Sequence, residues 1–381
     1  MMLDDDVMDS IRDLPVFERS KSVEDTASAP TSPTSPSPTS KLKLKDRRLL
    51  NHTASAPTSP TSPSPTSKQK SKDRFLFKTP KRWFLARHFG QEGDDLGQFR
   101  EANGIAPCHT GDIVITNLNL YTNSSEIYYF TNDGLYITTL LHNNDELVHP
   151  WDVAFTTQGQ LVVTDQSKNV KMYDVNSNTM FSFSTLSPDE DPSTEVTTSG
   201  VAVTPMDDII VGDSSRKVVT IHSKAGAWEP RKITVPINPV YVASNNRRSI
   251  LISDWTERKV IAMNFHGETL YNIDDFKVEG HVSAPMGLAC DIDCNVYIAV
   301  IKYNETTGKV IAGTGHIHQY DNKGTFIRCI AKGLYVPRGV ALSNQGSLYV
   351  ANETSILIYK MRSVRPLRRR CTVSIMSTQA V

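Results

Sequence analysis

The chain has 381 residues, 41 Lys plus Arg against 41 Asp plus Glu, and a formal net charge of zero. That length is enough for two or three ordinary domains, and the balance of charge gives no overall excess of positive charge for a polyanion. With no run of eighteen apolar residues, no membrane-spanning helix and no membrane partner are expected, and five cysteines without a Cys-x-x-Cys pair fit reduced thiols better than a disulfide framework.

The first residues, Met1-Met2-Leu3-Asp4-Asp5-Asp6, are acidic where a signal peptide is basic and then apolar, so an intracellular location, cytoplasmic or nuclear, is expected. Val7, Met8, Ile11 and Leu14 give one short amphipathic stretch ending at Pro15, marginal as an isolated helix. Residues 1–75 otherwise read as low-complexity chain. Thr26–Arg47 and Thr53–Arg74 are two copies of one 22-residue unit that differ only at Leu42 against Gln69 and Leu44 against Ser71. Proline at this density with few apolar residues predicts disorder. Ser32, Ser35, Ser37, Ser59, Ser62 and Ser64 each precede proline, and Thr79-Pro80-Lys81-Arg82 adds a basic residue, so the segment is either a substrate of proline-directed kinases or an unmodified flexible tether. The run Lys41 to Arg48 reads as solvated linker charge rather than a nuclear-localisation patch.

From residue 82 to 361 a single phrase recurs. Taking Gly104, Asp152, Gly200, Tyr241, Gly287 and Gly339 as position zero, the residue two places on is alanine each time (Ala106, Ala154, Ala202, Ala243, Ala289, Ala341). An apolar run follows nine to eleven places on, then a small residue at twelve (Thr116, Thr164, Gly212, Ser253, Ala299, Ala351), and at thirteen Asn117, Asp165, Asp213, Asp254, Val300 or Asn352. Self-similarity at a spacing of 41 to 52 residues marks a propeller or solenoid, and the β-branched residues with turns such as Gly111-Asp112 and Gly159-Gln160 argue for strands. Six units predict an all-β, six-bladed β-propeller. In the second unit the strands are expected at 151–155, 161–164, 170–173 and 180–183. The last unit runs out after a third strand at 356–361, so Phe84 to Phe89 is predicted to supply its fourth strand and close the ring, which removes an exposed edge.

The stretch Phe89-Gly90, Gly93, Gly97, Gln98-Phe99, followed by Gly104-Ile105-Ala106 and Gly111-Asp112-Ile113-Val114-Ile115, resembles the start of an NHL-repeat domain, as found in some tripartite-motif proteins and in Brat. The turn Asp254-Trp255-Thr256-Glu257-Arg258-Lys259 resembles the family's Asp-x-x-Asn-x-Arg turn, with Glu257 in place of asparagine. The resemblance implies a recognition ring, which in some members binds RNA on one face. It also implies a link to ubiquitin transfer, but the RING, B-box and coiled coil that carry it in tripartite-motif proteins are not found in this sequence, so at most the chain presents a client to a ligase supplied in trans.

That face, made of the turns after the second strands and the loops entering the inner strands, is expected to collect Lys168, Arg216, Lys217, Arg258, Lys259 and Arg338 with Trp151, Trp255, Tyr303 and Tyr335. Trp255, directly after Asp254, is expected to be partly exposed beside Arg258. Cations interleaved with aromatic rings suit single-stranded RNA. Residues 76–361, however, carry 24 Lys plus Arg against 31 Asp plus Glu, which favours a protein partner. A metal-dependent hydrolase or lyase needs carboxylates or imidazoles converging from several blades. Asp152 is the lone carboxylate at position zero, His149 and His281 belong to opposite units, and His316 and His318 are expected to be solvated in and just after an inserted loop. Hence no enzyme, cofactor, metal or small-molecule substrate is expected. Asp165, Asp213 and Asp254 are read as turn-fixing groups. The tail, residues 362–381, carries Arg362, Arg365, Arg368, Arg369 and Arg370 and no acid; Arg369-Arg370-Cys371-Thr372 matches a basophilic kinase pattern, with an unmodified basic tail as the alternative.

Overall fold

The computed structural model describes residues 81–363 apart from 120–123, 143–146, 176–177, 224–229, 277–281 and 305. All of its regular elements are strands. After β1 (Lys81–Phe89), blade one is β2 (Glu101–Pro107), β3 (Ile113–Asn119), β4 (Ser124–Phe130) and β5 (Tyr136–His142). Blade two is β6 (Asp152–Phe155), β7 (Gln160–Thr164), β8 (Asn169–Asp174) and β9 (Thr179–Ser184), within a residue of the strands expected from the repeat. Blade three holds β10 (Thr198–Val203), β11 (Ile209–Asp213), β12 (Val218–His222) and β13 (Arg231–Thr234). Blade four holds β14 (Tyr241–Ser244), β15 (Ser249–Asp254), β16 (Lys259–Asn264) and β17 (Thr269–Ile273). Blade five holds β18 (Val282–Cys290), β19 (Val296–Tyr303), β20 (Gly315–Tyr320) and β21 (Phe326–Leu334), and blade six β22 (Val340–Leu342), β23 (Leu348–Ala351) and β24 (Ile356–Ser363).

The fourth strand of blade six is β1, which pairs antiparallel with β24 from Lys81↔Ser363 to Phe89↔Ile356. The ring therefore closes by joining segments far apart in the chain, and β24 is not left with an open edge. Trp83 of β1 is buried and meets Tyr297 of blade five edge-on, with ring centroids 5.7 Å apart, so the closing strand also packs against the neighbouring blade.

Glycine stands at position zero in four of the six units, where the blades crowd. A Cβ on Gly104 would lie 2.6 Å from the Cα of Asp152, and one on Gly200 would lie 2.5 Å from the Cα of Tyr241. Hydroxyls and amides near the same level stitch adjacent blades together. Thr116 donates to the carbonyl of Trp151 (3.4 Å), Thr164 to that of Ser199, Ser199 to that of Pro239, and Ser253 to that of Met286 (2.7 Å). The circle continues through backbone bonds from Gly287 to Arg338 and from Gly339 to Asn103, both 2.9 Å. Between blades the second and third strands contribute fully buried Ile, Leu and Val, such as Ile210, Ile250 and Ile252, to shared apolar clusters. Each such side chain contributes roughly 1.5–3 kcal/mol by leaving water, so the blade interfaces are the core.

Candidate functional site

The carboxylates and amides thirteen places after position zero do more than fix a turn. Asn117, Asp165, Asp213, Asp254 and Asn352 accept the backbone N–H of Arg100 (3.0 Å), Val148 (2.9 Å), Thr197 (3.2 Å), Asn238 (2.8 Å) and Val336 (3.2 Å). Each acceptor thus pins the loop entering its own inner strand to the turn after its second strand. The two loop sets form one face on a common rigid base, the setting in which recognition residues are usually placed.

On that face the eight residues singled out from the sequence divide. Lys168, Lys217 and Arg258 are exposed, Lys259 is half-buried, and Tyr335 is 46% exposed. Trp255 is half-buried and packs against the apolar cluster between blades five and six, with Tyr303 packed on the same cluster. Arg216 and Arg338 do not belong to the accessible set. Arg216 donates through Nε to Asp213 (2.6 Å) and through Nη1 to Glu190 (3.0 Å), and its side chain is 11% exposed. Lys232 also reaches Glu190 and, with the backbone amide of Ser187 and then Arg216, holds that carboxyl down at about 2. Arg338 is buried at 4%, its Nη2 lying 3.3 Å from Glu101 and 3.8 Å from Glu353. Sequence reasoning saw the cations but not the carboxylates that neutralise them.

Trp151, expected near the face, is instead part of a plug across the axis. Its Nε1 donates to the carbonyl of Val240 (2.9 Å), and its ring lies 5.7 Å from that of Tyr241. Tyr241 donates to Asn103 Oδ1 from the other side of the ring. On the opposite face the axis opens into a cavity of about 680 Å³ lined by the inner hairpins. Asp152 and Tyr241, both at position zero, lie at its inner end. The two carboxylate oxygens of Asp152 accept the amides of Val153 (3.0 Å) and Val201 (3.1 Å). Burial nevertheless pushes its carboxyl up to about 7, against the pull of those two bonds. A lone carboxylate in a desolvated site favours its neutral form, and a cavity holding such a group is a candidate ligand site.

His316 and His318, expected as solvated loop residues, are buried on β20. The inserted loop ends at Thr314, before His316 and not after it as the sequence suggested, so both histidines fall on β20. Burial lowers the imidazole of His318 to about 4, with His316 and Lys332 adding to the effect. Cys108, Cys290, Cys294 and Cys329 are free thiols. The candidate phosphorylation sites Ser32, Ser35, Ser37, Ser59, Ser62, Ser64, Thr79 and Thr372 lie outside the described residues. No helix among the described residues is long and apolar enough to cross a membrane.

No protein-family model and no curated protein matches the sequence. Solved structures do share the fold. A gluconolactonase from Xanthomonas campestris is 11% identical, covers 73% of this chain and 98% of its own, and superposes with a TM-score of 0.55. A putative gluconolactonase is 12% identical over 77% of this chain and 97% of its own, with a TM-score of 0.53. A protein of unknown function from Bacteroides thetaiotaomicron is 14% identical over 74% of this chain and 77% of its own, also at 0.53. At these identities the likeness is one of fold. The chain is a six-bladed β-propeller. One expectation is corrected: that the chain is not an enzyme was drawn from the shortage of converging ligands at position zero, and rings of this fold include a gluconolactonase, so the architecture gives no ground for excluding catalysis.

Proposed function

We propose that the chain is a protein-recognition platform of NHL type, a scaffold or adaptor that captures its partner on the face pinned by Asn117, Asp165, Asp213, Asp254 and Asn352. The observation that supports it is the contrast between Arg216 and Arg338, neutralised by the ring's own carboxylates, and Tyr335, 46% exposed in the loop entering blade six on the same face. An exposed aromatic on a face that also carries exposed lysines has the composition of an interface anchor, whereas guanidinium groups already paired add nothing to a polyanion site. The acidic balance of residues 76–361 points the same way. The partner is read as a protein segment with an apolar anchor and acidic flanks, and presentation of a client to a ligase in trans is one use of such capture.

Single-stranded RNA is the second reading. It is favoured by one observation: the remaining cations Lys168, Lys217, Arg258 and Lys259 lie at equivalent turns of three consecutive blades, which makes a short cationic track. Tyr335→Ala separates the two. It removes an exposed side chain without touching the core, and truncation of an anchor weakens binding by about 2 kcal/mol or more. Protein capture that is insensitive to ribonuclease and falls in Tyr335→Ala supports the first reading; capture abolished by ribonuclease supports the second.

A further inference from the structure

On β20 the residues His316 and His318 are two apart, so both imidazoles project from the same side of the strand. β21 brings Cys329 directly opposite His318. The three donor atoms converge. His318 Nε2 lies 3.4 Å from His316 Nδ1, the latter lies 3.8 Å from Cys329 Sγ, and all three fall within 4.8 Å of one another. With metal–nitrogen distances of about 2.0–2.1 Å and a metal–sulfur distance of about 2.3 Å, a tetrahedral zinc ion separates two nitrogens by roughly 3.3–3.4 Å and a nitrogen from a sulfur by roughly 3.6 Å. The edge between the two histidines matches the first, the edge between His316 and Cys329 slightly exceeds the second, and the edge between His318 and Cys329 lies within 4.8 Å.

We propose that His316 Nδ1, His318 Nε2 and Cys329 Sγ form a site for a borderline-soft divalent cation, Zn²⁺ or Co²⁺, in the outer half of blade five. The surroundings support this assignment. Tyr320 Oη lies 3.3 Å from His318 Nδ1, placed to accept a hydrogen bond from an Nδ1–H; in that tautomer Nε2 is bare toward the site, the arrangement by which outer partners orient metal-binding histidines. Phe326 meets the His318 ring edge-on at 5.3 Å and fixes its plane. Cys329 donates its thiol proton to the carbonyl of Ala331 (3.1 Å); on binding, that proton leaves to solvent and the thiolate takes its place on the ion. Lys332 also faces the cluster, and its charge opposes a bare cation; the thiolate offsets it. Cys329 is partly exposed, so water reaches that side and completes the fourth position. A thiolate with two imidazoles selects zinc-like ions over magnesium or calcium, which take oxygen ligands.

The test uses the full chain stripped with a chelator and titrated with Co²⁺. One equivalent is expected to produce a thiolate-to-cobalt charge-transfer band in the near ultraviolet, with visible bands of tetrahedral intensity, and Zn²⁺ should bleach both. Cys329→Ser should lose the charge-transfer band, while Cys108→Ser keeps it. A wild-type chain that shows no such band, or a band that persists in Cys329→Ser, overturns the assignment. Should Cys329→Ser fail to fold, X-ray absorption on the zinc-loaded wild type decides: one sulfur and two imidazole nitrogens in the coordination shell support the site, and a shell of oxygens alone overturns it.

Discussion

Tyr241 Oη donates a hydrogen bond of 2.5 Å to Asn103 Oδ1, joining two buried side chains 138 residues apart across the axis of the ring. Blade four and blade one are thereby tied through the centre as well as around the circle. Tyr241→Phe keeps the ring's shape but leaves the Asn103 carbonyl without this donor. Loss of about 1–3 kcal/mol is expected, read in thermal unfolding as a drop of roughly 2–4 °C per kcal/mol for a protein of this size. Unchanged melting would show that the axial bond contributes nothing.

Ring closure rests on β1. A chain beginning at residue 76 is expected to melt with the full chain, whereas one beginning at residue 91 leaves β24 with an unpaired edge and removes Trp83 from Tyr297. Trp83→Ala tests the same contact without truncation and should cost about 3–5 kcal/mol, measured by denaturant unfolding. Equal stability of the two truncations would contradict closure by this strand.

Arg216 and Lys217 are neighbours in sequence with opposite roles. Arg216→Ala leaves the carboxylate of Asp213, fully buried, without its guanidinium, and breaking a buried pair from one side costs about 3–5 kcal/mol. Lys217→Glu, on an exposed side chain, should leave stability unchanged and alter only binding. The measurement is a melting curve for each variant beside a binding assay.

Much of the architecture was legible from spacing alone. Glycine at position zero and a small residue at twelve report crowding that any sequence must satisfy, so the inner hairpins and their number could be read directly, and the closing strand followed from a blade with only three runs. The fate of individual side chains could not be read this way. Arg216 finds Glu190, 26 residues away, because an irregular loop folds back beside it, and no periodicity encodes that contact. Arg338 looked like a loop cation because its carboxylates, Glu101 and Glu353, arrive from the two ends of the ring that closure brings together. His316 and His318 were misplaced for a different reason: the insertion in blade five hid the start of β20. The His-x-His alternation on a strand was the signal that would have located them.

Asp152 makes stability depend on pH with a definite sign. Its carboxyl is raised from the ordinary 3.8 to about 7 by burial, so the folded chain holds a proton that the unfolded chain has released. Stability from this group is full below about 4 and falls as pH rises through about 7. His222 and His318, each lowered to about 4 by burial, act in the opposite sense between about 4 and 6.5 and partly mask it. The comparison is therefore between wild type and Asp152→Asn. The variant gives up one acceptor for the amides of Val153 and Val201, but the difference between the two proteins should shrink as pH rises from 5 to 7.5. A constant difference in denaturant midpoint would mean that Asp152 does not titrate in this range.

The central claim is that the face carrying Tyr335 recognises a protein. It is tested most directly by placing a photocrosslinking amino acid at position 335 and, in a second chain, at Arg247, exposed in the β14–β15 turn on the opposite face. A discrete protein adduct is expected from position 335 that survives ribonuclease and is absent from position 247. Adducts of equal yield from both positions, or an adduct from 335 that ribonuclease removes, would contradict it.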